Sequence, residues 1–266
     1  MIKASAACAI GALLRRLPQH RGRFRLTKFA LRILGETPIR GAYGVRMLSN
    51  WTDNTNLFSI VGGHYDEVFS VVNTLQPGMA FVDIGANAGV FSMVAGRRVG
   101  GSGVVVAFEP QRQVYRYLVA NAELNGLRSF YPFMAAVGSF TALCSFDEGP
   151  HDHSGMGHIS KRGSVNVLQL GGSELQQTIG TLVGNRKTMV KIDVEGAEAD
   201  VIRACYSLLS SEYTETVIIE IDDSLMLRFG YASSDVYGAM ERMGYYPERG
   251  PGLRPHFDEV FRRNRW

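Results

Sequence analysis

The sequence has 266 residues, of which 45% are hydrophobic and 20% are charged, and these are ordinary values for a globular protein. The length suits one α/β domain with additional terminal elements, or at most two small domains, and allows a large buried core. The three cysteines, Cys8, Cys144 and Cys205, form no C-x-x-C pair. This excludes a disulfide framework and a cysteine-built zinc site, and it predicts a reduced, cytoplasmic protein.

Charge is distributed unevenly along the chain. Residues 1–40 hold nine of the 28 Lys and Arg residues but only one of the 25 Asp and Glu residues, so the remainder has a net charge of −5. The sequence has no nucleic-acid-binding motif and its body would repel phosphate, so we expect no nucleic-acid partner. The apolar stretch Ala4–Leu14 is too short to span a bilayer, and no small-residue cleavage site follows it. We therefore expect neither a transmembrane segment nor a signal peptide there.

The basic N-terminal segment has two interpretations. Residues 1–34 are predicted to form two short helices that pack on the body with their arginines in water. Alternatively, they form a basic amphipathic arm in peripheral contact with an anionic membrane. Residues 35–63, which include the alternating stretches GVRMLS and NLFSIV, are predicted to form a small β-hairpin region. We therefore divide the chain into a basic helical arm with a small β-region at 1–60 and the main domain at 61–266.

From residue 65 onward, helices and strands alternate. Residues 65–75 have the apolar spacing of a helix, and a Gln-Pro-Gly sequence then ends it. The predicted strands are MAFVDIG, GVVVAFEP, FYPFMAAV, MVKIDVEG, ETVIIEID and DEVFRRN. The predicted helices are AGVFSMVAGRRV, QVYRYLVANAELNG, AEADVIRACYSLL and SDVYGAMERMG. Residues 138–188 are predicted to be irregular, with short strands near ALCSF and VNVLQL. This pattern predicts a doubly wound, Rossmann-like, mostly parallel sheet with helices on both faces.

The turn after the first of these strands reads D-x-G-x-N-x-G, from Asp83 through Gly85 and Asn87 to Gly89. Glycines here let the backbone approach a ligand closely at the start of a helix. A dinucleotide fingerprint would need glycine where Asn87 and Val90 stand, so a nicotinamide oxidoreductase is disfavoured, and no P-loop sequence occurs.

An acidic residue ends the second strand of the alternating region. Glu109 lies twenty residues after the glycine turn, where a carboxylate can accept both hydroxyls of a ribose. Asp83 is placed to interact with a cationic group. Together, a glycine turn, an acid for a ribose and an acid for a cation predict S-adenosyl-L-methionine as the cofactor.

Three segments resemble the FkbM-family methyltransferases, a group of class I S-adenosylmethionine-dependent enzymes. The segments are FVDIGANAGVFS, VVAFEPQRQVYRYLVANAELNG and VKIDVEGAEADVI, and IIEID adds a weaker match. The resemblance implies a seven-stranded sheet with one antiparallel strand near the C-terminus, and methyl transfer most often to a hydroxyl oxygen.

The same resemblance implies roles for individual residues. Asp83, Gly85, Asn87 and Gly89 would line the methionine end of the cofactor, and Glu109 would bind its ribose. The other residues assigned to the cofactor site are Pro110 beside Glu109, Ala135 and Ala136 beside the adenine, and Glu67, an acid that precedes the first strand.

The fourth strand of the domain carries the candidate catalytic residues. Strand alternation places Lys191, Asp193 and Glu195 on one face, where three charges are costly unless they are paired or functional. The structural interpretation is a Lys191–carboxylate pair with Glu195 capping the next helix. The functional interpretation is that Asp193 faces the cofactor or the acceptor, either as a cofactor contact or as the base that removes the acceptor proton, while Lys191 orients its neighbours.

The histidine-rich stretch HDHSGMGHIS is predicted to be a surface loop over the mouth of the site. It offers His158 as an alternative base, and His64 is another possibility. Its H-x-H-x₄-H spacing is a weak metal signal, so we expect no metal site.

The sequence therefore predicts O-methylation of a sugar, glycolipid or secondary metabolite, with a small-molecule or glycan acceptor. An N- or C-methyltransferase, or a non-catalytic cofactor-binding accessory protein, remains the alternative.

Overall fold

The computed structural model describes residues 21–252 and 255–263. Its strands are β1 (Pro38–Arg40), β2 (Arg46–Leu48), β3 (Ala80–Ile84), β4 (Val104–Phe108), β5 (Phe130–Phe133), β6 (Ala136–Val137), β7 (Ala142–Asp147), β8 (His158–Ile159), β9 (Val165–Leu170), β10 (Thr188–Ile192), β11 (Thr214–Asp222), β12 (Tyr245–Pro247) and β13 (His256–Arg263). Its α-helices are α1 (Arg21–Leu34), α2 (Asn54–Val61), α3 (Asp66–Val72), α4 (Val90–Val99), α5 (Arg112–Asn125), α6 (Gly172–Val183), α7 (Glu198–Ala204), α8 (Tyr206–Ser210), α9 (Asp223–Met226) and α10 (Ser233–Arg242).

Seven strands form one sheet in the order β12–β13–β11–β10–β3–β4–β5. β13 runs antiparallel to both of its neighbours, whereas β11, β10, β3, β4 and β5 pair in parallel. β3, β4 and β10 are buried along their whole length, as strands covered on both faces must be. The predicted doubly wound, mostly parallel sheet is therefore confirmed, as is the antiparallel strand near the C-terminus.

Two apolar clusters fill the space between the sheet and the helices on its two faces. Side chains alternate along a strand, so Phe81 and Val105 belong to one cluster and Val82 and Val106 to the other. The first cluster packs against α4 and α5, and the second packs against α6, α7 and α10. This two-sided packing fixes the strand ends, so the residues that follow β3, β4 and β10 meet at one edge of the sheet.

The N-terminal segment packs on the first of these faces. Leu31 of α1 and Leu57 of α2 join the same buried cluster as Phe81. The predicted helix in residues 21–34 and the predicted hairpin, formed by β1 and β2, are present. Residues 1–20 lie outside the described residues, as does the other helix predicted for the arm. The domain division at residue 60 stays a prediction.

The stretch NLFSIV is a helix, so its predicted strand is wrong. Asp53 caps α2, because its side chain accepts a hydrogen bond from the backbone of Thr55. The buried residues Leu57, Ile60 and Val61 then follow a helical spacing onto the core. In a short apolar run, alternation and helical periodicity are hard to tell apart.

A second sheet of four strands, in the order β6–β9–β7–β8, lies beside the main one. The strands predicted at ALCSF and VNVLQL are its β7 and β9. The predicted strand FYPFMAAV is divided, because its first half is β5 of the main sheet and Ala136–Val137 forms β6 of the second sheet. Residues 138–188 also contain a twelve-residue helix, α6, so the prediction that this segment is irregular is wrong there.

Two further differences concern the C-terminal half. The helix predicted for AEADVIRACYSLL is divided at Cys205 into α7 and α8. The edge strand β12 was not predicted; its three residues are too short to show alternation. Within residues 21–252 and 255–263, no helix combines the length and apolarity that crossing a bilayer requires.

Candidate active site

A cavity opens beyond the carboxyl ends of β3, β4 and β10, where ligands bind in doubly wound sheets. Counted with its open mouth, it encloses about 930 Å³. Its wall contains most of the residues selected from the sequence: Gly85, Asn87, Gly89, Glu109, Pro110, Ala135, Ala136, His158, Lys191, Asp193 and Glu195. Asp83 and Glu67 are not among the residues that line it.

The turn after β3 needs glycine for a specific reason. Gly85 has a φ of 79°, and a Cβ atom at this position would stand 1.7 Å from the carbonyl oxygen of Asp193. Asn87 also has positive φ, at 50°, a conformation that asparagine tolerates better than most residues. Because Gly85 has no Cβ, the backbone of the β3–α4 turn packs directly on the β10 loop.

Glu109 is held at the end of β4 by two backbone hydrogen bonds. Its Oε2 accepts from the amide of Asn87 at 2.9 Å and its Oε1 accepts from the amide of Gln111 at 2.8 Å. Burial raises the pKa of this carboxyl to about 7, although both backbone donors favour the charged form. Each carboxylate oxygen has a second lone pair, so both can still accept a ribose hydroxyl. This acceptor in the cavity wall, together with the glycine turn beside it, fits S-adenosylmethionine.

The cavity is closed on one side by a contact between distant segments. Ser154 Oγ donates to Asp53 Oδ2 at 2.6 Å, and Asn87 Nδ2 donates to Ser154 Oγ at 3.2 Å. The amide of Gly155 donates to Thr55 Oγ1 at 3.1 Å. The loop before β8 is thus attached both to the start of α2 and to the glycine turn. Sequence reasoning selected the HDHSGMGHIS loop for its histidines and missed Ser154 within it, and Thr55 lies in no motif.

Lys191 is a buried cation at the base of the cavity, with an exposed fraction of 1%. Its Nζ lies 2.6 Å from Asp193 Oδ2, and Asp83 stands opposite it in the β3–β10 register. Burial favours the neutral amine, but the carboxylates of Asp193 and Asp83 outweigh it and raise the pKa of Lys191. The structural part of the prediction, a Lys191–carboxylate pair, is therefore observed.

Asp83 lies behind the cavity wall. It is fully buried, its Oδ2 accepts from Ser92 Oγ at 2.6 Å, and burial raises the pKa of its carboxyl. In this position it neutralises Lys191 and holds the start of α4. The contact of Asp83 with the methionine end of the cofactor, which the resemblance implies, stays a prediction.

The loop after β10 presents a second carboxylate to the cavity. Glu195 has a φ of 60°, which is in the left-handed region that few residues other than glycine adopt. Burial, followed by the charges of Asp193 and Glu198, raises the pKa of Glu195. Glu195 does not cap the next helix, because α7 has no side-chain cap hydrogen bond. The loop before it is held by Glu198, whose Oε1 accepts from the amides of Val194 and Gly196 at 3.1 Å. The strand ends at Ile192, so alternation no longer fixes where these side chains point.

The remaining candidates are dispersed. Glu67 is on the surface, with its Oε2 2.7 Å from a guanidinium nitrogen of Arg249 and its side chain 66% exposed. His158 lies at the cavity wall and is half-buried, with Nδ1 3.1 Å from the carbonyl oxygen of Met156. His64 stacks on Phe58 and is not part of the wall; burial lowers its pKa.

The seven-stranded order with the antiparallel strand β13 is the fold of a class I methyltransferase. A family model described as the methyltransferase FkbM domain matches residues 83–247, more than half of the chain. The protein therefore belongs to the FkbM family of methyltransferases, as the sequence motifs indicated, and its cofactor is S-adenosylmethionine. No curated protein matches the sequence at the significance level applied.

Solved methyltransferase structures are similar to this chain at low identity. A putative rRNA methylase from Clostridium thermocellum has 10% identity and a TM-score of 0.48, covering 76% of this chain and 98% of that one. A SAM-dependent methyltransferase from Aquifex aeolicus has 12% identity and a TM-score of 0.43, covering 75% and 88%. Fibrillarin from Aeropyrum pernix, with natively bound S-adenosyl-L-methionine, has 13% identity and a TM-score of 0.41, covering 70% and 67%. The family assignment rests on the domain match and on the sheet topology.

Proposed function

We propose that the protein methylates a hydroxyl oxygen of a small-molecule or glycan acceptor, such as a sugar, a glycolipid or a secondary metabolite. The observation that carries this proposal is the convergence, in one cavity, of the glycine turn, the buried Glu109 and the Lys191–Asp193 pair. When bound, S-adenosylmethionine supplies a methyl group on a positively charged sulfur. The protein then has to hold an acceptor oxygen in line with that methyl group and remove its proton.

We assign the residues of the cavity to two tasks. Gly85, Asn87 and Gly89 would admit the amino-acid end of the cofactor, and Glu109 would hold its ribose hydroxyls. Pro110 and Ala136 would contribute apolar surface near the base.

At the acceptor end, Asp193 would accept the hydroxyl proton, with Lys191 as its positioning residue, and His158 is the second candidate for that proton. The bound cofactor would supply the methyl group for the acceptor oxygen, and its sulfur would keep the electron pair of the broken carbon–sulfur bond.

Calorimetric titration tests the cofactor half of the proposal. S-adenosylmethionine and S-adenosylhomocysteine should bind, and NAD should not. Glu109→Ala should weaken the binding of S-adenosylmethionine and of S-adenosylhomocysteine by about 100-fold or more, since two hydrogen bonds to a charged acceptor are worth roughly 1.5–3 kcal/mol each. The matched control is Glu123→Ala, an exposed glutamate on α5. Equal affinity in Glu109→Ala and wild type would remove the ribose role.

Transfer of a labelled methyl group tests the acceptor. Hydroxylated sugars and metabolites should become labelled, and amine acceptors should not. One observation favours the N-methyltransferase alternative, namely the surplus of carboxylates at the mouth, which suits a cationic amine. Exclusive labelling of amines would therefore replace the oxygen proposal with the nitrogen one, and binding of cofactor without turnover of any acceptor would favour the accessory protein.

The arm remains a second, independent proposal. α1 exposes Leu26, Phe29 and Ile33, spaced so that they share one side, and it contains no acidic residue. An apolar stripe on a basic helix suits the surface of an anionic membrane. Sedimentation with vesicles should show binding that needs anionic lipid and is lost in Phe29→Glu; equal binding to neutral vesicles would refute the membrane contact.

The cytoplasmic location stays a prediction that cell fractionation can test.

A further inference from the structure

Three carboxylates converge beside the cavity, at the carboxyl ends of β10 and β11. Asp193 and Glu195 follow β10, and Glu220 is near the end of the adjacent parallel strand β11. Each offers one oxygen, and these oxygens all lie within 4.8 Å of one another. The fold produces this arrangement because neighbouring parallel strands end at the same edge of the sheet.

Cations lie near this cluster but make few direct contacts with it. Lys191 binds Asp193 and also faces the buried Asp83. Arg228 acts on Glu195 through its charge, without a hydrogen bond. His256 Nε2 is 3.6 Å from Glu220 Oε1, beyond hydrogen-bond distance, and its Nδ1 is 3.2 Å from Asp222 Oδ2. Within the part of the chain that the structure describes, the Glu195 side chain accepts no hydrogen bond. Three carboxylates this close repel one another in a partly buried site.

A second observation, independent of the clustering, indicates a missing ligand. Glu220 has an exposed fraction of 9%, and its Oε2 is buried without a hydrogen-bond partner among the described residues. Burying a carboxylate oxygen without a partner is costly, so such atoms usually have a bound ion or an unseen donor. The oxygen belongs to the side chain that completes the cluster.

We propose that Asp193, Glu195 and Glu220 bind a hard divalent cation, Mg²⁺ in the first place. Carboxylate oxygens are the ligands that this ion prefers. In an octahedral site with bonds of about 2.1 Å, ligand oxygens lie roughly 3 to 4.2 Å apart, so the cluster would need only a small contraction. Lys191 retains Asp193 Oδ2, which leaves the other oxygen of Asp193 for the ion.

The role of this ion in the reaction rests on the proposed function. Three protein ligands leave positions for water and for two oxygens of the acceptor. An acceptor with adjacent hydroxyls, such as a sugar or catechol-like diol, would chelate the ion, and coordination would lower the pKa of the attacking hydroxyl. Because Asp193 is then engaged, His158 takes the proton. The substrate class is therefore a vicinal diol rather than an isolated alcohol.

Direct binding of Mn²⁺, followed by electron paramagnetic resonance on protein treated with EDTA, tests the site without any acceptor. Wild type should bind one ion, and Mg²⁺ should displace it. Glu220→Gln should weaken Mn²⁺ binding by at least tenfold while the affinity for S-adenosylmethionine stays as in wild type. The matched control, Glu123→Gln, should bind Mn²⁺ as wild type does.

The variant is expected to fold, because it replaces a buried, unpartnered carboxylate with a neutral group of the same shape. A melting temperature equal to or above that of wild type confirms this. No Mn²⁺ binding to wild type would overturn the proposal, as would a Glu220→Gln variant that loses cofactor affinity instead. Failure of cofactor binding in wild type would count against the proposed function. Methylation that does not depend on metal would refute the cation site alone.

Discussion

Gly85→Ala tests whether the cavity depends on close contact between two loops. A Cβ at this position would lie 1.7 Å from the carbonyl oxygen and 2.8 Å from the carbonyl carbon of Asp193, whereas ordinary contact begins at 3.4 Å. The obstacle is backbone rather than a flexible side chain. The alanine therefore has to push the β10 loop outward, and Asp193 has to move with it, away from Lys191.

The magnitude has two parts. The φ of 79° costs a residue with a Cβ about 1–2 kcal/mol. The overlap adds the cost of overpacking, about 1–3 kcal/mol. We therefore expect the free energy of unfolding to fall by about 2–5 kcal/mol. This is a large part of the stability of an ordinary domain, which is about 5–15 kcal/mol.

Gly126→Ala is the matched control. Gly126 is left-handed, with a φ of 66° and a ψ of 31°, and a Cβ there would meet nothing within 4 Å. This substitution has only the conformational cost, so urea denaturation should show a loss of about 1–2 kcal/mol. Calorimetry should show weaker S-adenosylmethionine binding in Gly85→Ala and unchanged binding in Gly126→Ala. Equal stability and equal affinity in the two variants would refute the steric argument.

Four other changes have distinct expected results. Lys191→Met leaves buried carboxylates without their cation, so urea denaturation should show a loss of about 3–5 kcal/mol; a loss below 1 kcal/mol would contradict the pairing. The raised pKa of Glu109 means that the folded protein keeps a proton which the unfolded chain releases between pH 4.5 and about 7. The free energy of unfolding should therefore fall as pH rises through this window, by up to roughly 3 kcal/mol for this group. In Glu109→Gln, the free energy of unfolding should depend less on pH; the same slope as in wild type would refute the raised pKa of Glu109. Arg249→Ala should change stability by less than about 1 kcal/mol and leave cofactor affinity intact, whereas a drop in affinity would return Glu67 to the cofactor site. Ser154→Ala removes the hydroxyl between two segments, so S-adenosylmethionine should bind several-fold more weakly at a cost of about 1–2 kcal/mol; wild-type affinity would show that the contact does not shape the cavity.

The main sheet could be predicted because its signals are local and agree with one another. Val104–Phe108 is apolar throughout, a glycine turn follows Ile84, and helical periodicity begins at Val90. Each of these features depends on residues a few positions apart. The glycine turn was recognisable for the same reason, since a backbone that must approach a ligand closely selects the residues of one short segment.

The rest of the site depends on contacts between distant residues. Ser154 and Asp53 are 101 positions apart. The sequence around each of them does not indicate that it contacts the other. Glu220 belongs to an apolar strand whose sequence suggests burial, not a ligand. The position of Glu195 could not be predicted for another reason: the chain leaves the strand geometry at Ile192, after which alternation does not fix where a side chain points.

The contact of Ser154 with Asp53 and Asn87 also bears on how the protein folds. We expect segments so far apart in sequence to come together late in folding, because closing long loops costs entropy that later contacts must repay. A fragment that ends before residue 154, or one that begins after residue 87, would lack a wall of the cavity. We therefore expect the cofactor to bind the completed fold and to raise the apparent stability by mass action. This gain should grow with the logarithm of the cofactor concentration once that exceeds the dissociation constant.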